Sequence, residues 1–155
     1  GASLSPFNAW VLSKSLETLA VRVDRHCDNA FTIAEKLEVS QNINWVKYPF
    51  LKSHPQYALA KKQMLKGGNI IAFELIGGLE AGQNFINAIE LCSLSSNLGD
   101  SRTIITHPAS TTHSKLTKED RMAVGITDGM IRLSIGLEHP EDIWNDLKNA
   151  LSKIG

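Results

Sequence analysis

The sequence predicts an α+β domain: a mixed or antiparallel sheet of about four strands with helices on one side, preceded by a long helix. Three observations lead there. Short runs with a period of two, Ile70 to Ile76 the best of them, alternate with longer runs whose apolar residues recur every three or four positions. The links between these runs are brief, which favours hairpin-like neighbours over a fully parallel sheet. The 155 residues hold neither repeats nor low-complexity tracts, and that length suits one domain with a real core.

Taken in order, Ser5-Pro6 is a helix start, a hydroxyl N-cap followed by proline in the first turn. Leu12, Leu16, Leu19, Val23, Cys27, Ala30, Ala34 and Leu37 then form the stripe of one helix of about 30 residues, long for so small a domain. Such a helix is expected to bridge two bodies. Trp45 to Tyr48 reads as a short strand ended by Pro49. His54-Pro55 opens a second helix reaching about Lys66, with Gly67-Gly68 as its C-terminal cap. The strand Ile70 to Ile76 stops at Gly77-Gly78, and a third helix from Leu79 to Leu91 buries Phe85, Ala88, Ile89 and Cys92. Ser93 to Leu98 reads as an irregular strand and Thr103 to Thr106 as another; His107 to His113 is a loop because of its proline and hydroxyl residues. Thr117 to Asp120 resembles a capping box, and Gly125 to Gly136 is a turn followed by a strand. Pro140-Glu141-Asp142 starts a terminal helix with carboxylates at its positive end and Ile143, Leu147, Leu151 and Ile154 on its apolar stripe.

Composition excludes several classes. Sixteen basic residues against sixteen acidic ones give a formal net charge of zero, so bulk electrostatics suggest neither a nucleic-acid nor a membrane partner. No apolar run approaches the roughly 20 residues that span a bilayer, and no signal-peptide pattern opens the chain; a cytoplasmic location is expected. Cys27 and Cys92, distant in sequence, read as free thiols. The start Gly1-Ala2-Ser3, without methionine, leads to the expectation of a piece of a longer polypeptide.

Few residues have the spacing that chemistry needs. His107 and His113 lack a third ligand, so no metal site is assigned. Neither Ser110 nor Ser134 sits in a nucleophile turn, the glycine doublets lack a phosphate-binding spacing, and adjacent helical residues such as His26 and Cys27 diverge. Arg132 remains. On the 131–135 strand Ile131, Leu133 and Ile135 share one face, leaving Arg132 and Ser134 on the other. From this stretch alone, Arg132 is either solvated on an edge strand or a rigidly held guanidinium awaiting a carboxylate. Asn97, in the turn Asn97-Leu98-Gly99-Asp100, and the hydroxyls of the 107–113 loop are candidates to converge with it on a small anion. Such a site binds; no catalytic residue is assigned in this chain.

Several of these stretches together resemble a family. Gly1-Ala2-Ser3-Leu4-Ser5-Pro6-Phe7-Asn8-Ala9, Leu16-Glu17-Thr18-Leu19 and Arg25-His26-Cys27-Asp28-Asn29-Ala30 look like the helix that links the large and small domains in the pyridoxal-phosphate enzymes of cysteine and methionine metabolism. His107-Pro108-Ala109-Ser110-Thr111-Thr112-His113 and Ile131-Arg132-Leu133-Ser134-Ile135-Gly136-Leu137-Glu138 look like the closing signatures of that family. Within it, Asn97 and Thr111 are most similar to O-acetylhomoserine sulfhydrylases; methionine gamma-lyase is the nearest confounder, with cystathionine lyases and synthases also open. The resemblance implies the small C-terminal domain of a fold-type I enzyme, with 1–38 as the linking helix and 39–155 as the domain. It implies that Arg132 clamps the substrate α-carboxylate, with Asn97, the Leu98 N–H and Thr112 beside it.

The segments that carry the Schiff-base lysine and hold the cofactor in this family match nothing here. Lys14, Lys36 and Lys47 read as solvated. The resemblance therefore implies pyridoxal phosphate in a full-length enzyme but none on this piece, which is expected to be inactive alone; the alternative is a non-enzymatic, free-standing carboxylate-binding or interaction domain. Its partners would be O-acetylhomoserine with sulfide or a thiol, an N-terminal cofactor domain and a homotetramer.

Overall fold

The structure, a computed structural model, describes residues 3–154; Gly1 and Ala2, the first residues of the expected linking helix, lie outside the described residues, as does Gly155. Chain order begins with α1 (Pro6–Glu17), capped by Ser5, whose hydroxyl accepts the Asn8 N–H at 3.3 Å. A second helix, α2 (Leu19–Glu38), follows, so the single long helix expected from the stripe is two. Hydroxyls that bond to helix carbonyls cause the break. Ser15 Oγ donates to Val11 O at 2.8 Å, and Thr18 leaves helical geometry at φ −105° and ψ 6°. The Arg22 guanidinium bridges the interruption, donating to Ser15 O at 2.6 Å and to Thr18 Oγ1 at 3.2 Å.

The expected stripe is buried only from Cys27 of α2 onward. Cys27, Ala30, Ala34 and Leu37 are 0–5% exposed, whereas Leu12, Leu16, Leu19 and Val23 are at least 42% exposed. The α1 helix buries none of its residues, and its Phe7 and Trp10 rings meet in the open with centroids 6.0 Å apart.

The remaining elements are β1 (Ile43–Lys47), α3 (Tyr57–Gln63), β2 (Ile70–Leu75), α4 (Gly78–Asn87), β3 (Ser93–Leu94), β4 (Ile104–Thr106), α5 (Lys118–Ala123), β5 (Met130–Ser134) and α6 (Pro140–Leu151). The mixed sheet has five strands where about four were expected, in the order β1-β2-β5-β4-β3, antiparallel except for the β3–β4 pair. This makes β5 the central strand, which corrects the edge-strand alternative for Arg132. Arg132 lies opposite Ala72 on one side and Thr106 on the other.

Alternation along the strands decides the core. Ile71, Phe73 and Leu75 of β2, with Ile131 and Leu133 of β5, face Ile33 and Leu37 of α2, Phe85 of α4, and Ile143 and Leu147 of α6. Phe73 and Phe85 meet edge to face with centroids 5.9 Å apart.

Several boundaries differ from those expected: β1 starts at Ile43 rather than Trp45, and β3 covers only Ser93–Leu94, leaving 95–98 of the expected irregular strand outside it. The α3 helix is shorter than the 54–66 span, because the chain turns extended at Met64 before the glycines. The doublets serve other ends than capping a preceding helix. Gly67 gives room to the Tyr48 ring, and Gly77, at φ +106°, is the N-cap of α4. The α4 helix itself stops at Asn87, and Asp146 of α6 secures the segment beyond it. One oxygen of Asp146 accepts the Glu90 N–H at 2.9 Å, and the other accepts those of Leu91 and Cys92 at 3.0 and 2.9 Å.

Candidate functional site

Strand β5 carries Arg132 and Ser134 on the face turned away from the helical core. The Arg132 Nη2 donates to Ser96 O at 2.9 Å and Asn97 O at 3.1 Å, and lies 3.4 Å from Thr106 Oγ1. All three acceptors are neutral. Nε is buried with no partner, Nη1 has no protein partner, and no carboxylate among the described residues pairs with this guanidinium. A half-buried cation in that condition is unusual, because charges removed from water are ordinarily paired.

The turn that supplies the two carbonyls has little secondary structure of its own and is built by side chains. It enters beside β4, where Ser93 N–H reaches Thr103 O at 2.8 Å and the Thr106 hydroxyl donates to Ser95 O. Within it, Asn97 N–H donates to Ser95 Oγ at 3.3 Å and Gly99 N–H to Ser134 Oγ at 2.8 Å. At its exit Asp100 accepts the Arg102 N–H at 3.0 Å, and that bond, with the Arg102 side chain, holds the Asp100 carboxyl below the usual carboxylate range. Glu138 takes the Thr103 N–H at 2.6 Å and its hydroxyl at 2.9 Å.

Helix α2 fastens the far end of β5. His26 Nδ1 donates to Ile135 O at 2.6 Å, and Asn29 Nδ2 donates to Gly136 O at 3.0 Å and Glu138 O at 2.9 Å. The signature His26-x-x-Asn29 thus works as a buried clamp one helical turn long.

Of the four expected site residues, the structure brings Arg132 and Asn97 together, with Leu98 next in the turn. Asn97 meets the guanidinium through its carbonyl. Since that peptide is trans, the Leu98 N–H points away from Arg132. Thr112 is exposed and its hydroxyl pairs with His113 Nδ1 at 2.8 Å, with no bond to Arg132. Sequence reasoning missed Thr106 and the Ser96 carbonyl. Only the pairing of β4 with β5 reveals them, because nothing local signals that position 106 faces 132. His107 does not stand free as a ligand: its ring is buried, with Nε2 donating to Asp128 O at 2.8 Å and Nδ1 bonded to Ser110 Oγ at 2.8 Å.

Other reactive groups are occupied or muted. Lys14 pairs with Glu17, Lys36 with Glu141, Lys66 with Asp24 and Asp28, and Lys118 with Asp128, while Lys47 lies over the Trp45 ring. Burial pushes the Cys27 thiol up; burial and the nearby Asp146 push that of Cys92 far up. The arrangement can hold and orient an anion, and it presents no activated nucleophile. No helix among the described residues is long and apolar enough to cross a membrane.

Residues 1–152 match the family model described as Cys/Met metabolism PLP-dependent enzyme. The L-methionine gamma-lyase of Porphyromonas gingivalis is 51% identical over 154 residues, 99% of this chain and 39% of the relative. The O-acetyl-L-homoserine sulfhydrylase of Leptospira meyeri is 46% identical over 156 residues, 99% of this chain and 35% of the relative. Among solved structures, cystathionine gamma synthase from Xanthomonas oryzae pv. oryzae in complex with cystathionine superposes with a TM-score of 0.88 at 42% identity, over 97% of this chain and 39% of that one. The chain thus spans less than two-fifths of the length of the curated relatives it matches.

Proposed function

The chain belongs to the Cys/Met metabolism family of PLP-dependent enzymes, and from that premise we propose that residues 39–155 are the substrate-carboxylate-binding part of an O-acetylhomoserine sulfhydrylase, with 1–38 linking them to a cofactor domain. The enzyme would convert O-acetylhomoserine and sulfide, or a thiol, to homocysteine or methionine and acetate. One observation carries this reading: Arg132, on the central strand, has only neutral acceptors, a buried Nε–H without a partner and an Nη1 without a hydrogen bond to the described residues. A substrate carboxylate supplies the missing charge and acceptors together.

The Asn97 carbonyl accepts from the same guanidinium, and Leu98 follows it in the turn. For the Leu98 N–H to join the carboxylate, the 97–98 peptide turns over and gives up the Asn97 carbonyl contact. Thr112 enters through the likeness of the 107–113 loop to the family signature.

We assign no pyridoxal phosphate contact to the residues around Arg132. The groups around Arg132 include no lysine, and Lys14, Lys36, Lys47, Lys66 and Lys118 are engaged elsewhere. When bound, that cofactor supplies the electron sink for reactions at the amino-acid carbons. We assign these residues the carboxylate alone, and the sink to a part of a longer homotetrameric protein.

A methionine gamma-lyase is the second reading, favoured by the 51% identity to the P. gingivalis protein against 46% to the L. meyeri sulfhydrylase. Full-length protein assayed side by side separates them. Acetate release from O-acetylhomoserine that depends on sulfide is the expected result; thiol release from methionine at a higher kcat/KM would make the lyase the function. Retention of full substrate affinity in Arg132→Ala would overturn both.

A further inference from the structure

Two residues of one strand face grip the same turn at different places. Arg132 holds its carbonyls, and Ser134, two positions along β5, accepts the Gly99 N–H at 2.8 Å. Ser134 is 1% exposed, and Asn69 Nδ2 donates to the same oxygen at 3.2 Å while also reaching Ile135 O at 3.4 Å. The hydroxyl oxygen therefore serves two N–H donors, one from the turn and one from the loop before β2. Gly99 adopts φ +77°, a left-handed conformation that glycine tolerates without strain but that is not self-enforcing. Between Ser95 and Asp100 the turn is tied by the Ser95 hydroxyl, the Arg132 guanidinium and the Ser134 hydroxyl.

We propose that Ser134 is a positioning residue for carboxylate recognition. By fixing Gly99 it holds the Ser96 and Asn97 carbonyls where they pin Arg132 Nη2, so that the remaining guanidinium donors face the substrate. The inference rests on the reading that Arg132 takes the substrate carboxylate. Guanidinium recognition is directional, and a side chain with four rotatable bonds keeps one orientation only while its outer nitrogen is pinned. Removing the hydroxyl leaves the Gly99 N–H and the Asn69 amide without their shared acceptor and frees the turn, while Arg132 itself remains.

The test compares each amino-acid substrate with its α-carboxamide in the cofactor-loaded, full-length protein. Ser134→Ala is expected to raise KM for the acid by about tenfold with kcat within about threefold, and to lower the preference for acid over amide by a similar factor. Hydrogen exchange of the peptide covering 96–100 is expected to accelerate. A merely structural role would lower the melting temperature and affect acid and amide alike. An unchanged preference in Ser134→Ala overturns the proposal. Should that variant fail to fold, Asn69→Ala, which keeps the hydroxyl but frees its rotation, is expected to lower the preference about threefold, and no change there overturns it equally. Arg132→Ala distinguishes the two levels. If it abolishes the preference and Ser134→Ala does not, the positioning role alone fails; if it leaves the preference intact, the carboxylate reading fails and takes the positioning role with it.

Discussion

Replacing Asp146 by asparagine, a change of one atom, tests how the segment leading to the site is held. Its carboxylate accepts three consecutive backbone N–H groups, those of Glu90, Leu91 and Cys92, at 2.9–3.0 Å, and the residue is 7% exposed. A carboxamide of the same shape has one acceptor oxygen. Its best orientation places that oxygen on Leu91 and Cys92 and its NH2 group against the Glu90 N–H. Hydrogen bonds to a charged group contribute about 1.5–3 kcal/mol against about 1 for neutral ones, and a buried donor left unpaired costs about 1–3 kcal/mol. Glu90 is exposed, so water relieves part of its loss. The sum is about 2–4 kcal/mol, or roughly 5–15 °C in melting temperature for a chain of this size. Asp146→Ala, which leaves all three donors without an acceptor, is expected to cost more. Urea unfolding of the 155-residue chain measures both, with an unchanged slope as the sign that the unfolded state is the same. A cost for Asp146→Asn within about 0.5 kcal/mol of zero would refute the reasoning, because it would mean that water already serves these donors.

Three other perturbations have defined outcomes. Gly82→Ala sets a methyl 2.7–2.8 Å from the His107 ring carbons, where the ring donates to Asp128 O. Overpacking costs about 1–3 kcal/mol and the lost bond about 1, against about 1 gained in helix propensity, so a net loss is expected by thermal melting and a gain would contradict the contact. Lys118, then Arg121, hold the Asp128 carboxyl below its usual range. A depressed folded pKa gives stability that is fully present above the unfolded value of about 3.9 and lost as pH falls through the folded one. The gap between the parent and Asp128→Asn, about 0.5–1.5 kcal/mol at pH 7, should therefore close as the pH falls below the unfolded value, and a gap that widens on acidification would reverse the sign. Cys27 and Cys92 are 5% and 7% exposed with raised thiol pKa values. Both should react with a disulfide reagent at pH 8 at least about tenfold more slowly in the folded chain than in urea, and equal rates would place them at the surface.

Local signals in the sequence carried most of the elements. The period of two in 70–76 and 131–135, the Ser5 and Thr117 caps, the stripe of α2 from Cys27 onward and that of α6 all correspond to what the chain forms. Non-local arrangements were not legible. Whether β5 is an edge or a central strand depends on which strands pair with it, and no residue within 125–136 encodes that. The break at Thr18 was hidden because the apolar stripe runs straight through it, while the cause lies in hydroxyls that bond backward to carbonyls. For the site, alternation alone placed Arg132 beside Ser134, the position of the 97–100 turn made Asn97 a candidate to converge with them, and the family likeness added Leu98. The carbonyl contacts and the direction of the Leu98 N–H follow from the conformation of the turn, which composition does not fix.

The proposed recognition element is a turn fixed to a sheet. A central strand bonded on both sides and clamped by His26 and Asn29 is among the stiffest supports in the molecule, and it carries the charge. The turn lacks ladder bonds of its own over 96–100, so its rigidity depends on a few hydroxyls and the guanidinium. Those contacts act in both directions: the turn pins the arginine, and the arginine holds the turn. In the proposed binding mode a carboxylate takes the donors that the carbonyls leave free, so the turn decides which donors it meets. Recognition and turn conformation are therefore linked through Arg132, and a substitution at either end of the contact is felt at the other.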